Sequence, residues 1–473
     1  MPRVALAVAV LAYALAVLAF RPHRTPGPAL RDFEAYYAAG VAFDQGEDPY
    51  GRAIWRYERT LPGVDERREG LLPFVNPPPL LLALGLLARM PFGAAAALWE
   101  SLLVLALGAL LIAVAALAGV RDAFGRIALV PFALAFGPIS SDLALGQFAL
   151  FAVAALAIGA WALASGRSLA GGASAYLAAM QPTLALPLVA FARSWRALHA
   201  LVASAAVFAL GWIVLAAQAP VAAPLTYFAV LRAHDAAERF ALIQYAPSSI
   251  VYGLGAGTAI ATACGIAIAL GALLVWLLAT LRLRLAPLAS FLLACTLLPF
   301  VVPFFHEHDF ALLAIPALYV LRRTTSPLAR AIATAGALLC AIDWLGLAQR
   351  PDGWIQSLLL ACAFFAAAIA ASGVRIDRSL VVPFGAIAGA LLICVLVAQS
   401  HPAPVWPDAM ALPLHALPNA TAAEIWHTEQ AAAHMFDFDA FHALLRALPL
   451  LGCAALAWAT IRLPKAPSDS RNP

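Results

Sequence analysis

The chain has 473 residues, of which 64% are hydrophobic and 11% are charged. Soluble domains are typically about 45–50% apolar and about 25% charged, so this composition excludes an ordinary water-soluble protein. The net charge of +4 comes without the basic tract that a nucleic-acid-binding protein needs, so no nucleic-acid partner is expected.

Recurring apolar runs predict an all-α polytopic membrane protein, because a run of roughly 17–25 residues can cross a bilayer as a helix. Residues 1–464 are expected to form one transmembrane domain, and residues 465–473 a disordered tail. The runs predict about 12 spans, at 4–20, 94–119, 127–139, 148–164, 198–217, 257–280, 286–304, 309–321, 331–348, 354–372, 380–399 and 443–461.

The arginines predict the orientation of these spans. Short loops with extra Lys and Arg face the cytoplasm, and such marks recur in alternate connections from Arg3 to Arg462. Both termini are then cytoplasmic. The long first loop, 21–76, the corner at 305–308 and the late loop, 400–440, lie outside.

Two segments do not fit a simple crossing. Residues 77–90 follow a triple proline, and residues 169–192 are broken at Gln181-Pro182. At about 1.5 Å per residue, both favour re-entrant, interfacial or short helices, although 77–90 could also cross at a tilt. Irregular backbone at membrane depth is tolerated where it lines a cavity, so both segments are candidate cavity walls.

The first outer loop contains the stretch RDFEAYYAAG, residues 31–40. As a helix on the membrane surface it would place Phe33, Tyr36 and Tyr37 on one face. Asp32 would then point toward a cleft between the loop and the spans. The alternative is an interfacial anchor with no further role.

A second polar constellation is FHEHDF, residues 305–310, at another outer corner. Ionisable groups near membrane depth cost roughly 2.5–3.5 kcal/mol each, so His306, His308 and Asp309 need a partner or a task. Protonated imidazoles could bind a phosphate, and neutral ones a divalent metal. The alternative is a solvated corner, and no metal is predicted.

Other polar residues are more ambiguous. Gln147 opens a span, where it could bind a sugar hydroxyl or cap its neighbours. Gln181 could join helices as a hydrogen-bonding side chain or contact a lipid headgroup. The stretch HDAAER, residues 234–239, is predicted to be a solvated helix face.

Several short motifs in fixed order resemble glycosyltransferase family 87, of the membrane-embedded C-type glycosyltransferase superfamily. The resemblance runs from about residue 4 to 320 and indicates a polyprenol-phosphate-mannose-dependent α-mannosyltransferase-like protein of a bacterial envelope. It rests on Asp32-Phe33, Tyr36-Tyr37-Ala38-Ala39, Gly46-x-Asp48-Pro49-Tyr50, Asn76-Pro77-Pro78 and Gly146-Gln147.

This resemblance implies a hexose donor on a polyprenyl phosphate and an acidic base in the first outer loop, which by position is Asp32. It also places His306, His308 and Asp309 near the donor phosphate. Related proteins often carry a lysine near the hairpin break, where this chain has Gln181. The full set expected to bind donor or acceptor is Arg31, Glu34, Tyr36, Tyr37, Asn76, Gln147, Gln181, His306, His308 and Asp309.

The expected activity is therefore hexosyl transfer, with mannose favoured, from a polyprenyl phosphate to an envelope glycolipid, glycan or protein. It would occur with inversion, on the extracytoplasmic side of the cell membrane and without a cofactor. The alternatives are a transporter or flippase for a lipid-linked sugar and an envelope glycan polymerase or ligase. Transporters place ionisable groups near the bilayer midplane, whereas here most lie at one predicted face.

Overall fold

The computed structural model describes residues 2–20, 30–62, 64, 71–219, 224–405 and 420–464, and these residues form helices and connections without a strand. The all-α prediction is confirmed. The tail 465–473, and parts of both long loops, lie outside the described residues. The first helices are α1 (Pro2–Ala19), α2 (Arg31–Asp44), α3 (Ala53–Glu58), α4 (Pro79–Ala88), α5 (Phe92–Ala118), α6 (Ala123–Leu134), α7 (Gly137–Leu145), α8 (Ala149–Ala164), α9 (Ser168–Ala178), α10 (Pro182–Ala185) and α11 (Trp195–Gln218).

The second half of the chain continues in the same way, with 3₁₀ segments at Leu186–Arg193, His308–Leu313 and Pro351–Gly353. Its helices are α12 (Pro224–Glu238), α13 (Pro247–Gly253), α14 (Thr258–Leu281), α15 (Pro287–Val301), α16 (Ala314–Arg323), α17 (Pro327–Ala341), α18 (Trp344–Gln349), α19 (Trp354–Ser372), α20 (Arg378–Ser400), α21 (Ala422–Ala432) and α22 (Ala440–Ile461).

Fewer helices than predicted are long enough to cross a membrane. In the described ranges seven qualify, namely α1, α5, α11, α14, α19, α20 and α22, or up to eight spans if α6 and α7 count as one pair bent by 65°. The other predicted spans are shorter helices, such as α8, α15 and α17. Proline explains part of the difference, because Pro138 lies in the first turn of α7 and cannot donate the hydrogen bond that would continue α6.

The arginine-bearing connections meet at one end of the bundle. Arg322, at the end of α16, donates from Nη2 to the Gly119 carbonyl oxygen after α5 (3.0 Å) and from Nη1 to the Ser372 carbonyl oxygen of α19 (2.9 Å). A guanidinium there satisfies carbonyls that helix ends leave unpaired. Three connections predicted to be cytoplasmic therefore share one end of the molecule.

Both irregular segments are short helices, as predicted. Residues 77–90 contain the ten-residue α4. Residues 169–192 contain α9, α10 and the 3₁₀ segment, with the break at Gln181, whose φ of −123° and ψ of 83° are not helical. The break leaves the Gln181 side chain at a cavity wall.

Helix α2 is present, but it is enclosed by other elements instead of lying with one face exposed on the membrane surface. The Phe33 and Trp99 rings stack at 4.9 Å between centroids, and Tyr36 lies 5.9 Å from the same indole. These contacts join α2 to α5, and α4 covers another face of α2. The packing fixes the direction of Asp32, which stands in the first turn of α2.

Gly40 permits the close approach of α2 and α4, because a Cβ at this position would lie 2.4 Å from the Leu84 carbonyl oxygen. We expect Gly40→Ala to destabilise the protein by about 1–3 kcal/mol through overpacking, seen as a lower midpoint of thermal unfolding in detergent. Gly108→Ala is the matched control, because a Cβ there meets nothing within 4 Å. An unchanged midpoint in Gly40→Ala would contradict the close contact.

Candidate active site

One large cavity, of about 1360 Å³, collects most of the residues that the sequence singled out. Of that set, Glu34 and Tyr37 do not line it. Glu34 is only 1% exposed, and the Tyr37 hydroxyl donates to the Met90 carbonyl oxygen at 2.7 Å. The cavity wall contains Arg31, Asp32, Tyr36, Asn76, Gln147, Gln181, His306, His308 and Asp309.

Asp32 belongs to a hydrogen-bonded chain of three side chains. The Gln147 Nε2 donates to Asp32 Oδ2 at 2.6 Å, and the Tyr36 hydroxyl donates to Gln147 Oε1 at 2.7 Å. Because Tyr36 takes the amide oxygen, the amide nitrogen must face the carboxylate. Tyr36 thereby sets the orientation in which Gln147 holds Asp32.

The backbone before Gln147 is held equally firmly. Gly146 has a φ of 73°, a conformation that favours glycine, and its carbonyl oxygen accepts from the Trp99 Nε1 at 2.8 Å. A Cβ on Gly146 would approach both Leu30 and Phe33 to 3.1 Å. The glycine therefore lets the start of α8 sit against the first turn of α2.

The charge environment of Asp32 favours proton exchange near neutral pH. Burial raises the pKa of Asp32 to about 6, although the Arg31 charge and the Gln147 hydrogen bond act in the opposite direction. A carboxyl group at the cavity wall with this pKa is a stronger base than an ordinary aspartate.

A second chain of contacts joins three distant segments across the cavity. The Asn76 Nδ2 donates to Gln181 Oε1 at 3.4 Å, and the Gln181 Nε2 donates to Asp309 Oδ1 at 3.4 Å. The other oxygen of Asp309 accepts from the His306 backbone amide at 2.9 Å. Both glutamines that the sequence left ambiguous thus have side-chain partners at the cavity.

Glu238, which the sequence did not single out, is the centre of a buried cluster. It is 2% exposed and lies 2.7 Å from the His306 Nε2 and 3.1 Å from the His234 Nε2. It also accepts from the Trp426 Nε1 and the Gln244 Nε2, each at 2.6 Å. The prediction of a solvated face over residues 234–239 is wrong for these two residues, because α21 covers this part of α12.

A signal for the Glu238 cluster does exist in the sequence. His234 and Glu238 stand four residues apart, the spacing at which two side chains meet on a helix face. Such pairs are also common on exposed helices, so spacing alone could not distinguish the buried pair from a surface one. The distinction comes from Trp426, which is 188 residues further along the chain.

The pKa values of the two histidines of the corner shift in opposite directions. Burial disfavours a charged imidazole at His306, but the adjacent Glu238 carboxylate outweighs it and raises the pKa of His306. Burial, together with the His306 charge, holds the pKa of His308 well below its usual value. The rings stack with centroids 5.2 Å apart, so an imidazole whose charged form is favoured lies beside one whose neutral form is favoured.

This corner also has the composition of a metal site. The ligand atoms of His306, His308 and Asp309 all lie within 4.8 Å of one another, and two imidazoles with a carboxylate suit a divalent transition metal. Both chemistries considered from the sequence, phosphate and metal, are therefore compatible with the residues present. The absence of a resident metal stays a prediction.

Part of the cavity lining is apolar and exposed. Leu18 and Phe20 at the end of α1, Phe228 on α12 and Ile355 on α19 all line it and are exposed. Polar groups thus border a surface that is suited to hydrocarbon. The arrangement fits an amphipathic ligand with a polar head in the cavity and a tail in lipid.

The comparison with known families finds a glycosyltransferase family over just under half of this helical chain. The matching family is Glycosyltransferase family 87, whose sequence model covers residues 74–303. The predicted resemblance is confirmed over this range, which includes Asn76, Gln147 and Gln181. Asp32 and His306 lie outside it, and their roles stay predictions.

Two solved structures show a distant likeness to this chain. They are ArnT from Cupriavidus metallidurans in the apo state, with 15% identity and a TM-score of 0.35, and the same protein bound to undecaprenyl phosphate, with 14% identity and a TM-score of 0.34. Each alignment covers 96% of this chain and 77% of the other. No curated protein matches the sequence significantly.

Proposed function

We propose that the protein is an integral membrane hexosyltransferase that takes its sugar, mannose by preference, from a polyprenyl phosphate. The acceptor is an envelope glycolipid, glycan or protein on the extracytoplasmic side. Asp32 acts as the general base, and the configuration at the anomeric carbon inverts. The observation that carries the proposal is the common cavity, where the Asp32 carboxylate, the cationic corner and an exposed apolar wall occur together.

The chemical step of this reaction needs two groups from the protein: a general base for the acceptor hydroxyl and a positive charge beside the departing phosphate. The acceptor hydroxyl attacks the anomeric carbon, and its proton passes to Asp32 as the new C–O bond forms. The bond between the anomeric carbon and the phosphate oxygen breaks, and polyprenyl phosphate leaves with the electron pair. Base and leaving group stand on opposite faces of the sugar, which gives inversion.

The departing phosphate requires positive charge, and among the described residues arginine and histidine at the cavity can supply it. Lys465 is the single lysine in the sequence, and the described residues around the hairpin break therefore contain no lysine. Arg31 and His306 line the cavity, and Glu238 favours the charged form of His306. We infer that these two residues replace the lysine that related proteins often carry.

The assay that tests this function uses the full chain in detergent with polyprenyl-phosphate mannose and lipid extracted from bacterial envelopes. We expect transfer of labelled mannose to lipid, together with release of polyprenyl phosphate. Polyprenyl-phosphate glucose and a nucleotide-linked mannose are the comparison donors. Release from the nucleotide sugar, with none from either lipid-linked sugar, would contradict the proposal. The flippase alternative is tested with the chain reconstituted in lipid vesicles, where movement of an intact donor between leaflets without cleavage would favour it.

The pH dependence of the rate should report the titration of Asp32. A base works only when deprotonated, so the rate of transfer at saturating donor should fall as the pH drops through about 6 and be level just above it. The measurement is a rate profile between about pH 4.5 and 8. An acid limb near 4, the ordinary range of a carboxyl group, would contradict the burial of this base.

A further inference from the structure

Outside the cavity, three side chains of types that can bind a metal lie close together, at the end of one membrane-spanning helix and the start of another. His401 follows α20, and Asp439 and His442 stand at the start of α22. Their ligand atoms all lie within 4.8 Å of one another. None of the three lines the cavity of the candidate active site.

The cluster is held in place by contacts with its surroundings. Asp439 is the N-cap of α22, where the His442 backbone amide donates to Oδ1 at 2.8 Å, and its own amide donates to the Gly253 carbonyl oxygen at 3.0 Å. His442 is 4% exposed. The imidazoles of His401 and His442 lie nearly parallel, with centroids 4.9 Å apart.

The imidazole nitrogens of His401 and His442 both lie close to the Asp439 carboxylate, as they would around one shared metal ion. The His401 Nε2 contacts Asp439 Oδ2, and the His442 Nδ1 lies 3.4 Å from Asp439 Oδ1. In a tetrahedral zinc site, with bonds of about 2.0–2.1 Å, neighbouring ligand atoms stand roughly 3.3 Å apart. Small side-chain adjustments, chiefly of the half-exposed His401, would bring all three atoms to that spacing.

We propose that His401, Asp439 and His442 form a structural site for a divalent transition metal of the zinc class. Two imidazoles and one carboxylate suit zinc or cobalt, whereas calcium and magnesium prefer sites made of oxygen. Water completes the coordination. The ion joins the ends of the connection between α20 and α22, and that connection includes α21, whose Trp426 donates to Glu238.

The connection between α20 and α22 is also held by hydrogen bonds close to His401. The Ala403 amide donates to the Ala348 carbonyl oxygen at 3.0 Å, and the Gln349 Nε2 donates to the Pro404 carbonyl oxygen at 2.8 Å. The ion would therefore fasten a segment already placed by backbone contacts. Its effect is on stability, because an ion that binds the folded chain and not the unfolded one shifts the equilibrium toward the folded state.

The test compares zinc binding by the full chain in detergent, after removal of metal, with that of His401→Gln. We expect the variant to bind one ion fewer per chain in equilibrium dialysis and to lose at least about 10-fold in affinity at this site. His434→Gln is the matched control, since His434 also pairs with one carboxylate, Asp437, at 3.2 Å, and its side chain is 73% exposed against 53% for His401. Zinc should raise the thermal midpoint of wild type and control, but not of His401→Gln.

Cobalt gives a second readout, because tetrahedral sites with nitrogen and oxygen ligands absorb visibly when Co²⁺ replaces zinc. Equal metal content in wild type and His401→Gln would overturn the proposal, and so would equal loss in the His434→Gln control. A His308→Gln variant separates this site from the cavity corner. If His308→Gln, and not His401→Gln, removes the ion, the metal belongs to the corner and the proposal fails.

Discussion

Replacing Asp32 by asparagine should lower the rate of sugar transfer by about 10²–10⁴-fold, the usual contribution of a positioned general base. Asparagine keeps the size of the side chain but cannot take the proton of the acceptor hydroxyl. The Gln147 amide and the Tyr36 hydroxyl remain to hold the side chain near its present position. Donor binding should therefore change much less than turnover, and single-turnover kinetics with labelled donor separate the two.

The control for this experiment lies on the same helix. Asp44 ends α2 and pairs with Arg89 at 3.0 Å, away from the cavity, so Asp44→Asn should transfer sugar at the wild-type rate. Thermal midpoints of both variants show whether the fold is kept. Equal turnover by wild type and a folded Asp32→Asn would remove Asp32 from its role as base, while leaving the glycosyltransferase class intact.

Glu238→Gln should be the second most damaging change, through weaker binding of the donor phosphate. Four donors converge on this buried carboxylate, and removing one partner of a buried ion pair costs about 3–5 kcal/mol. The glutamine nitrogen would also face groups that themselves donate. Because Glu238 raises the pKa of His306, its loss should lower that pKa and so reduce the cationic fraction of His306.

The pH dependence distinguishes this positioning role from a merely structural one. His306 is cationic below its pKa, so lowering that pKa should move the alkaline limb of donor binding to lower pH. We expect KM for the donor to rise roughly 10-fold or more near neutrality, as expected for loss of a charge-assisted hydrogen bond, and to recover partly in acid. Glu100→Gln, at an exposed position of α5, is the control. A uniform loss of activity at every pH, or an unchanged KM, would contradict the role given to Glu238.

Much of the architecture could be predicted because it depends on local properties of the chain. Apolar runs in lipid must form helices, since each backbone amide and carbonyl needs an internal partner. The break at Gln181-Pro182 follows from the missing amide hydrogen of proline. The arginine pattern predicted which connections share an end of the bundle, and Arg322 joins three of them.

The number of full-length spans was less predictable. An apolar run shows that a segment can leave water, but not that it forms one continuous helix of membrane length. The runs at 127–139, 286–304 and 331–348 each correspond to a short or bent helix in the structure. Packing against neighbouring helices decides how long each of these helices is. A short helix or irregular backbone is tolerated at membrane depth where other helices, and not lipid, surround it.

The residue types of the candidate site were visible in the sequence, and so was their expected meeting at one cavity. Asp32, Gln147 and the His306 corner stood out because polar groups at the ends of apolar runs are costly without partners. Glu238 did not stand out, because its stretch has the composition of an ordinary exposed helix. Its partners, His306 and Trp426, are 68 and 188 residues away.

The lipid environment of the protein, its helical class and the residue types able to carry out its chemistry follow from the amino-acid sequence alone. These properties depend on stretches of about 20 residues and on the cost of placing polar groups in lipid. Three features required the folded molecule: which carboxylate meets which amide or imidazole, which helices are long enough to cross a membrane, and which face of α2 is covered. Such pairings depend on contacts between distant segments, and no local pattern encodes the partner.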